Sequence, residues 1–233
     1  MTGELAASLA EGHTGTLRGS VAPPPAPDKL AALSGLVASR LCHDLVGPVG
    51  AIANGVDLIG ELAGEAGPDD LAMVRQSTAR TAALLEGLRL AFGAAPEDGQ
   101  PRPRRLVIDT LTPVLAGRRV HFDTVGAEGP ALPPPVAQLA ALMVYAGRQV
   151  LGLQGAIQLV FSLDDCLPLR VVAEGPKAAL SPEAAGWLAG DLADMPSSRE
   201  VEMALLPLAA GTVGAVLTVE DADGAVSLVA RRP

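Results

Sequence analysis

Residues 28–61 read DKLAALSGLVASRLCHDLVGPVGAIANGVDLIGE, and their apolar side chains recur at intervals of three and four positions. The recurring residues are Leu30, Leu33, Val37, Leu41, Leu45, Val49, Ile52, Val56 and Ile59. This spacing predicts one apolar stripe on a single long helix, which AGEAGP at 63–68 ends. At 1.5 Å per residue the helix is about 54 Å long, so it needs a partner of similar length.

The partner helix begins at the Pro-Asp-Asp sequence of 68–70, where proline suits a first-turn position and the two acids suit the helix dipole. Its apolar pattern continues to Phe92. A short connection between two long helices predicts an antiparallel hairpin. Two helices alone cannot enclose a core, so we expect two hairpins to form a homodimeric four-helix bundle with two-fold symmetry.

Beyond a Pro- and Gly-rich linker at 93–105, helical and strand-like periods alternate. They predict, in order, a helix in LVIDTLTPVLAG, a strand in RVHFDTV, a helix at 136–151, strands in AIQLVFSL and LPLRVVAEG, a helix near SPEAAGWLAGDL and a hairpin around Asp223-Gly224. This order is typical of an α+β sandwich domain whose sheet is covered by helices. We therefore expect a disordered tail at 1–27, the helical hairpin at 28–96 and the second domain at 102–233.

Composition excludes several classes of protein. The net charge of −9 disfavours a nucleic-acid-binding protein. No uncharged apolar run reaches the ~18 residues that a membrane span needs, and the N-terminus lacks a secretory signal, so we expect a cytoplasmic protein without membrane contact. Cys42 and Cys166 form no C-x-x-C pattern, so we expect neither a disulfide nor a metal site.

His43 lies on the side of the first helix opposite the apolar stripe. Counted from Leu30 at 100° per residue, the stripe clusters near 30° and His43 lies at about 220°. Gly47, Gly50 and Asn54 share the side of His43. Glycine inside a helix costs about 1 kcal/mol relative to alanine, so the two glycines favour close approach by another protein.

The neighbours of His43 suggest that its imidazole acts as a nucleophile. Arg40 and Asp44 are one turn apart and can pair. Asp44 can orient the imidazole or accept its proton, which leaves the other ring nitrogen free to attack phosphorus. Pro48 removes one helical hydrogen bond and is expected to bend the helix just after His43. An exposed histidine beside an aspartate is nevertheless often only a surface feature.

HDLVGP at 43–48 resembles the phospho-acceptor box of sensor histidine kinases, and LVASRLCHDLVGPVGAIANGVDLI at 36–59 resembles the ChpT family of histidine phosphotransferases. The resemblance extends over about 28–233. It implies dimers with a kinase-like bundle and a second domain that is a degenerate histidine-kinase ATPase-like α/β sandwich. Where a kinase carries nucleotide-binding asparagines and an aspartate, this chain has Ala141, Tyr145 and Ala173. We therefore expect no bound ATP and no autokinase activity.

The resemblance implies a phosphorelay. His43 is the expected phospho-acceptor and Asp44 orients it, while Arg40, Gly47, Pro48, Gly50 and Asn54 support the site and dock receiver domains. The implied partners are a CckA-like hybrid kinase and response regulators similar to CtrA and CpdR. Mg²⁺ is expected from the receiver, and no cofactor or metal from this chain.

Gly47 occupies the position where bifunctional kinases carry threonine or asparagine, which argues against phosphatase activity. Two alternatives remain: an ATP-dependent sensor histidine kinase with a divergent nucleotide site, and a non-catalytic dimeric scaffold.

Several other residues are expected to be structural. His121 lies on a predicted strand, and Tyr145 and Trp187 are expected to fill the core. The arginine-rich run at 102–105 is expected to be solvated. Asp164 and Asp165 predict a turn.

Overall fold

The N-terminal helices form the predicted hairpin. The computed structural model describes residues 15–18, 25–62, 67–94, 99–115 and 119–233. Helix α1 spans Pro27–Glu61 and α2 spans Pro68–Phe92, and the two pack along each other. The Asp70 carboxylate accepts a hydrogen bond of 2.9 Å from the Gly67 amide, which caps the first turn of α2. The hairpin was predictable because helix period and end signals are local properties of the sequence.

The second part of the chain is built on a mixed six-stranded sheet with the strand order β1-β5-β6-β4-β3-β2. The strands are β1 (Gly15–Arg18), β2 (Arg119–Val125), β3 (Gln154–Phe161), β4 (Leu169–Glu174), β5 (Val216–Ala222) and β6 (Ala225–Arg231). Only β2 and β3 run parallel; the other neighbours are antiparallel. The predicted α+β class is therefore confirmed.

Strand β1 differs from the expected disorder of residues 1–27. Its four residues pair antiparallel with β5 at the edge of the sheet. Backbone pairing at an open sheet edge needs no hydrophobic period, so the sequence pattern carried no sign of it. Most of the remaining predicted tail lies outside the described residues.

Four helices complete the second part: α3 (Arg104–Leu115), α4 (Pro134–Leu151), α5 (Pro182–Leu188) and α6 (Val201–Thr212). Helix α4 is almost entirely buried and packs on β3, β4 and β6, while α6 packs on α4 and β5. Sequence analysis did not predict α6. Its sequence, VEMALLPLAAGT, is apolar nearly all round and contains Pro207, so it has no period to reveal a helix.

One hydrophobic core joins the hairpin to the second part. Leu33 of α1 and Leu88 of α2 are at most 2% exposed and belong to the same cluster as α4 and α6. The Gln138 side-chain amide also donates to the carbonyl oxygens of Ala91 (3.2 Å) and Gly93 (2.9 Å), which fixes the end of α2 on α4. The position of α1 relative to α6 follows from this packing.

The prediction of a solvated arginine run at 102–105 holds for the exposed Arg105 and is wrong for Arg104. Arg104 is 1% exposed, and its guanidinium donates to four backbone carbonyl oxygens, those of Gly126, Pro130, Ser162 and Asp165, at 2.7–2.9 Å. The carbonyl groups replace the water that a buried guanidinium loses. A Cβ on Gly129 would lie 2.1 Å from Nη1 of Arg104, so glycine makes room for this side chain.

The remaining structural expectations fit the structure. Tyr145 and Trp187 are buried, and the indole nitrogen of Trp187 donates to the Asp194 carbonyl at 2.7 Å. His121 lies on β2, and the Asp165 carboxylate accepts from the Cys166 amide at 2.6 Å in the predicted turn.

Helix α1 has the length and apolar composition to cross a membrane, the one described helix that does. It also carries the buried, ion-paired Arg40, which contacts α6. Such a charge is costly in a bilayer. We therefore describe α1 as a helix of the hairpin that packs on α2 and α6.

Candidate functional site

Arg40 connects α1 to the start of α6. Its side chain is buried, and Nη1 lies 3.4 Å from Oε2 of Glu202. Nη1 also donates to the backbone carbonyl oxygen of Arg199, just ahead of α6. Burial alone would lower the pKa of Arg40, but the negative charges of Glu202 and Asp44 raise it above its usual value. Arg40 is therefore a fixed cation between the hairpin and the second part of the chain.

Asp44 links Arg40 to His43. One carboxylate oxygen accepts from Nε of Arg40 at 2.8 Å, and the other lies 3.1 Å from Nδ1 of His43. Burial alone would raise the pKa of the Asp44 carboxyl, but the hydrogen bonds from Arg40 and His43 and the charge of Arg40 lower it below its usual value. Asp44 is therefore an ionised acceptor that faces the imidazole.

The contacts of His43 define its tautomer. Nε2 lies 3.1 Å from Nη2 of Arg199, and a guanidinium can only donate. Nε2 is therefore the unprotonated acceptor, and Nδ1 carries the hydrogen that faces Asp44. The side chain is 52% exposed, so it is accessible from solvent. In this tautomer the lone pair lies on Nε2.

Glu202 is the buried acid of the site. It is 0% exposed in the first turn of α6, and Oε1 has no hydrogen-bond partner among the described residues. Burial raises the pKa of Glu202 to about 7, although Arg40 opposes the shift. We call His43, Asp44, Arg40, Arg199 and Glu202 the bridging network.

A cavity of about 460 Å³ opens beside the bridging network. Its lining includes Asp44, Gly47 and Pro48 of α1, Arg80 of α2 and Arg148 of α4. The cavity thus extends from the turn of α1 that follows His43 to α2 and α4. Among the described residues, no group of three or more His, Cys, Asp or Glu side chains is arranged to hold a metal ion.

The structure brings some of the predicted site residues into contact with His43 and leaves others outside the bridging network. Arg40 and Asp44 join His43 in the bridging network, and the burial of Arg40 fits a supporting role and not a docking surface. Pro48 lies inside the continuous α1. A Cβ on Gly47 or Gly50 would meet nothing outside the helix within 4 Å, so both glycines face open space.

Asn54 is exposed and lies about 16 Å beyond His43 along the helix axis. It is therefore outside the bridging network.

Sequence reasoning missed Arg199 and Glu202. Neither belongs to a motif, and no period marks the segment that carries them. The one signal was a glutamate, Glu202, beside the apolar residues of 201–206, which hints at a buried acid that needs a cation.

Comparison with known proteins gives a consistent result. The model of the histidine phosphotransferase C-terminal domain family matches residues 107–225. The protein phosphotransferase ChpT of Brucella abortus (strain 2308) is 31% identical over 140 residues, which cover 60% of this chain and 66% of that protein, just under two thirds of its length. A 1.7 Å structure of a bacterial phosphotransferase aligns with a TM-score of 0.71 and 24% identity, over 91% of this chain and 100% of that one, and shows the same fold.

Proposed function

Because the chain belongs to the histidine phosphotransferase family, whose model matches more than half of it, we propose that it is a phosphorelay protein of two-component signalling. In this proposal His43 takes a phosphoryl group from the receiver domain of a hybrid histidine kinase and passes it to response-regulator aspartates. One observation carries the proposal: Asp44 and Arg199 together leave the lone pair of His43 on Nε2. That atom is the nucleophile.

The reaction follows from this tautomer. The Nε2 lone pair attacks the phosphorus of an aspartyl phosphate; the N–P bond forms as the P–O bond breaks, and the receiver carboxylate leaves with the electron pair. The Nδ1 proton stays in place, so the phosphorylated ring gains positive charge that the Asp44 carboxylate offsets. Transfer to the next receiver is the reverse reaction. The receiver's acidic pocket supplies Mg²⁺.

Receiver docking uses the open side of α1. Gly47 and Gly50 lie one and two turns after His43, and no side chain fills the space beside them. A receiver has to bring its aspartate close enough for in-line attack, which needs a close approach of the two backbones. Candidate donors and acceptors resemble the CckA-like kinase and the CtrA- and CpdR-like regulators of the family.

The hairpin has an uncovered apolar surface that supports a homodimer. Its exposed large apolar residues are Leu30, Val46, Val49, Val56, Leu58, Leu71, Met73 and Leu85. Two hairpins packed as a four-helix bundle would cover most of such a surface. We place the dimer in the cytoplasm, where receiver domains are found.

The second domain supports transfer without ATP. Ala141, Tyr145 and Ala173 are at most 1% exposed, so the positions that would hold a nucleotide in a kinase present buried side chains instead. Labelled ATP with Mg²⁺ distinguishes this proposal from the autokinase alternative: we expect no label on the purified chain, and labelled His43 would favour the kinase.

The central experiment incubates the protein with a panel of purified receiver domains phosphorylated by a small phosphodonor. We expect some receivers to label the wild-type chain within seconds to minutes, and His43→Gln to remain unlabelled. A non-catalytic scaffold predicts binding without label on any chain.

A further inference from the structure

Arg199 contacts the reacting nitrogen from the second domain. Its Nη2 lies 3.1 Å from Nε2 of His43, and its side chain is exposed. Its backbone carbonyl accepts from Arg40, whose Nε holds Asp44, which in turn faces Nδ1 of His43. The four residues form a closed ring of contacts, so the network that orients the imidazole also fixes the backbone of Arg199.

The guanidinium occupies the position that phosphorus must take. A hydrogen bond to Nε2 lies along the lone pair, and in-line attack uses the same direction. The Arg199 side chain therefore has to move aside when a phosphoryl group arrives. Its backbone is anchored and its side chain is long and exposed, so a shift of a few rotatable bonds keeps the guanidinium beside the incoming oxygens.

We infer that Arg199 binds the phosphoryl group during transfer to and from His43. This inference rests on the proposed function. The planar guanidinium presents parallel N–H donors that match two phosphoryl oxygens, whereas lysine offers a single point charge. Arg199 stabilises the negative charge of the phosphoryl group while the N–P bond forms and the P–O bond breaks, and no proton transfer is part of this role.

Arg40 does not take this role. It is buried and engaged with Asp44, Glu202 and the Arg199 carbonyl. A phosphoryl group on Nε2 lies on the other side of the imidazole from the Nδ1 that Asp44 faces. Arg199 therefore supplies the cationic contact on the phosphoryl side, and Asp44 supplies the anionic contact on the ring side.

The alternative hypothesis is that Arg199 blocks Nε2 until a receiver binds. The two hypotheses predict opposite effects of truncating the Arg199 side chain on the rate of phosphoryl transfer. Loss of a phosphoryl-binding donor slows transfer, typically by about 10²-fold. Loss of a blocking side chain exposes the nucleophile and speeds transfer.

The test uses the full-length chain and the receiver that labels it fastest. Rapid-quench assays measure transfer to His43 and back to the receiver for wild type, Arg199→Ala, Arg199→Lys and the control Arg105→Ala, which removes an exposed arginine elsewhere. We expect Arg199→Ala to slow both directions about 10²-fold, Arg199→Lys to recover part of the rate, and Arg105→Ala to match wild type.

Arg199→Ala keeps the backbone carbonyl that Arg40 contacts, so a melting temperature within about 2 °C of wild type shows an intact network. Unchanged or faster transfer by Arg199→Ala overturns the phosphoryl-binding role and leaves the relay function standing. Absence of label on wild type overturns the relay function itself.

Discussion

Nη2 of Arg199 lies 3.1 Å from Nε2 of His43, although the two residues are 156 positions apart in the sequence. The contact places the second part of the chain at Nε2, which is the reacting atom in the proposed function. In that proposal, the second part of the chain contributes to the chemistry of the histidine as well as to the choice of partners.

Asp44→Asn is expected to slow phosphoryl transfer to His43 by about 10²-fold. The amide can turn its NH₂ group toward Nδ1, which favours the tautomer with hydrogen on Nε2 and removes the lone pair from the attacking atom. Quench-flow rates with a phosphorylated receiver measure the effect. Asp57→Asn, an exposed change on the same helix, is the control. Equal rates for the two variants would remove Asp44 from the mechanism.

The stability of the protein is expected to depend on pH through Glu202. Its pKa is raised from 4.5 to about 7 in the folded state, so between these values the folded protein keeps a proton that the unfolded chain releases. The free energy of unfolding therefore falls as pH rises through this window, by up to about 3 kcal/mol, and this loss is complete above pH 7.

Glu202→Gln removes that titration. Its stability relative to wild type is expected to increase from pH 5 to pH 8, as measured by urea denaturation at each pH. Glu86→Gln removes the same charge from an exposed site on α2 and serves as the control. A constant difference between Glu202→Gln and wild type over this range would refute the assignment.

Gly47→Ala is expected to weaken receiver binding without destabilising the protein. Both Gly47 and the control Gly35 lie on α1 with open space around them. Alanine is expected to stabilise the helix by about 1 kcal/mol at Gly35, and by less at Gly47, because the ring of Pro48 disfavours a Cβ on the residue before it. Only Gly47 lies one turn from His43. We expect Gly47→Ala to weaken receiver binding in calorimetric titrations and Gly35→Ala to leave it unchanged. Equal affinity for both variants would mean that receivers do not approach this turn.

Val56→Glu is expected to break the homodimer. Val56 is 54% exposed on the hairpin, and a charge there would be buried without a partner in a four-helix bundle. Sedimentation equilibrium measures the change in mass. Leu163→Glu, a charge at a residue 71% exposed in the second part of the chain, should keep the dimer. A wild-type monomer, or a dimer that survives Val56→Glu, would contradict the bundle.

The comparison of sequence with structure shows which features are local. The α1–α2 hairpin was predictable because its period, its prolines and its acidic first turn lie within each helix. The Arg40–Asp44 pair was predictable for the same reason, because one helical turn brings the two side chains together.

The unpredicted features depend on tertiary packing. In the sequence, Arg104 is one of several arginines in a charged run. The carbonyl oxygens that surround it come from distant residues, which only the fold brings together. Arg199 reaches the histidine, and Glu202 reaches Arg40, because the core packs α6 against α4 and α1. No spacing rule connects residues that far apart, so the second half of the site had to come from the structure.

The most direct measurement of the central claim is heteronuclear NMR of the chain, labelled with ¹⁵N-histidine, before and after phosphorylation by a receiver. Before transfer, we predict a neutral His43 ring protonated on Nδ1. After transfer, we predict one phosphoryl group bonded to Nε2 of His43 and a proton still on Nδ1. Phosphorylation on Nδ1, on another residue, or on no residue at all would contradict the account.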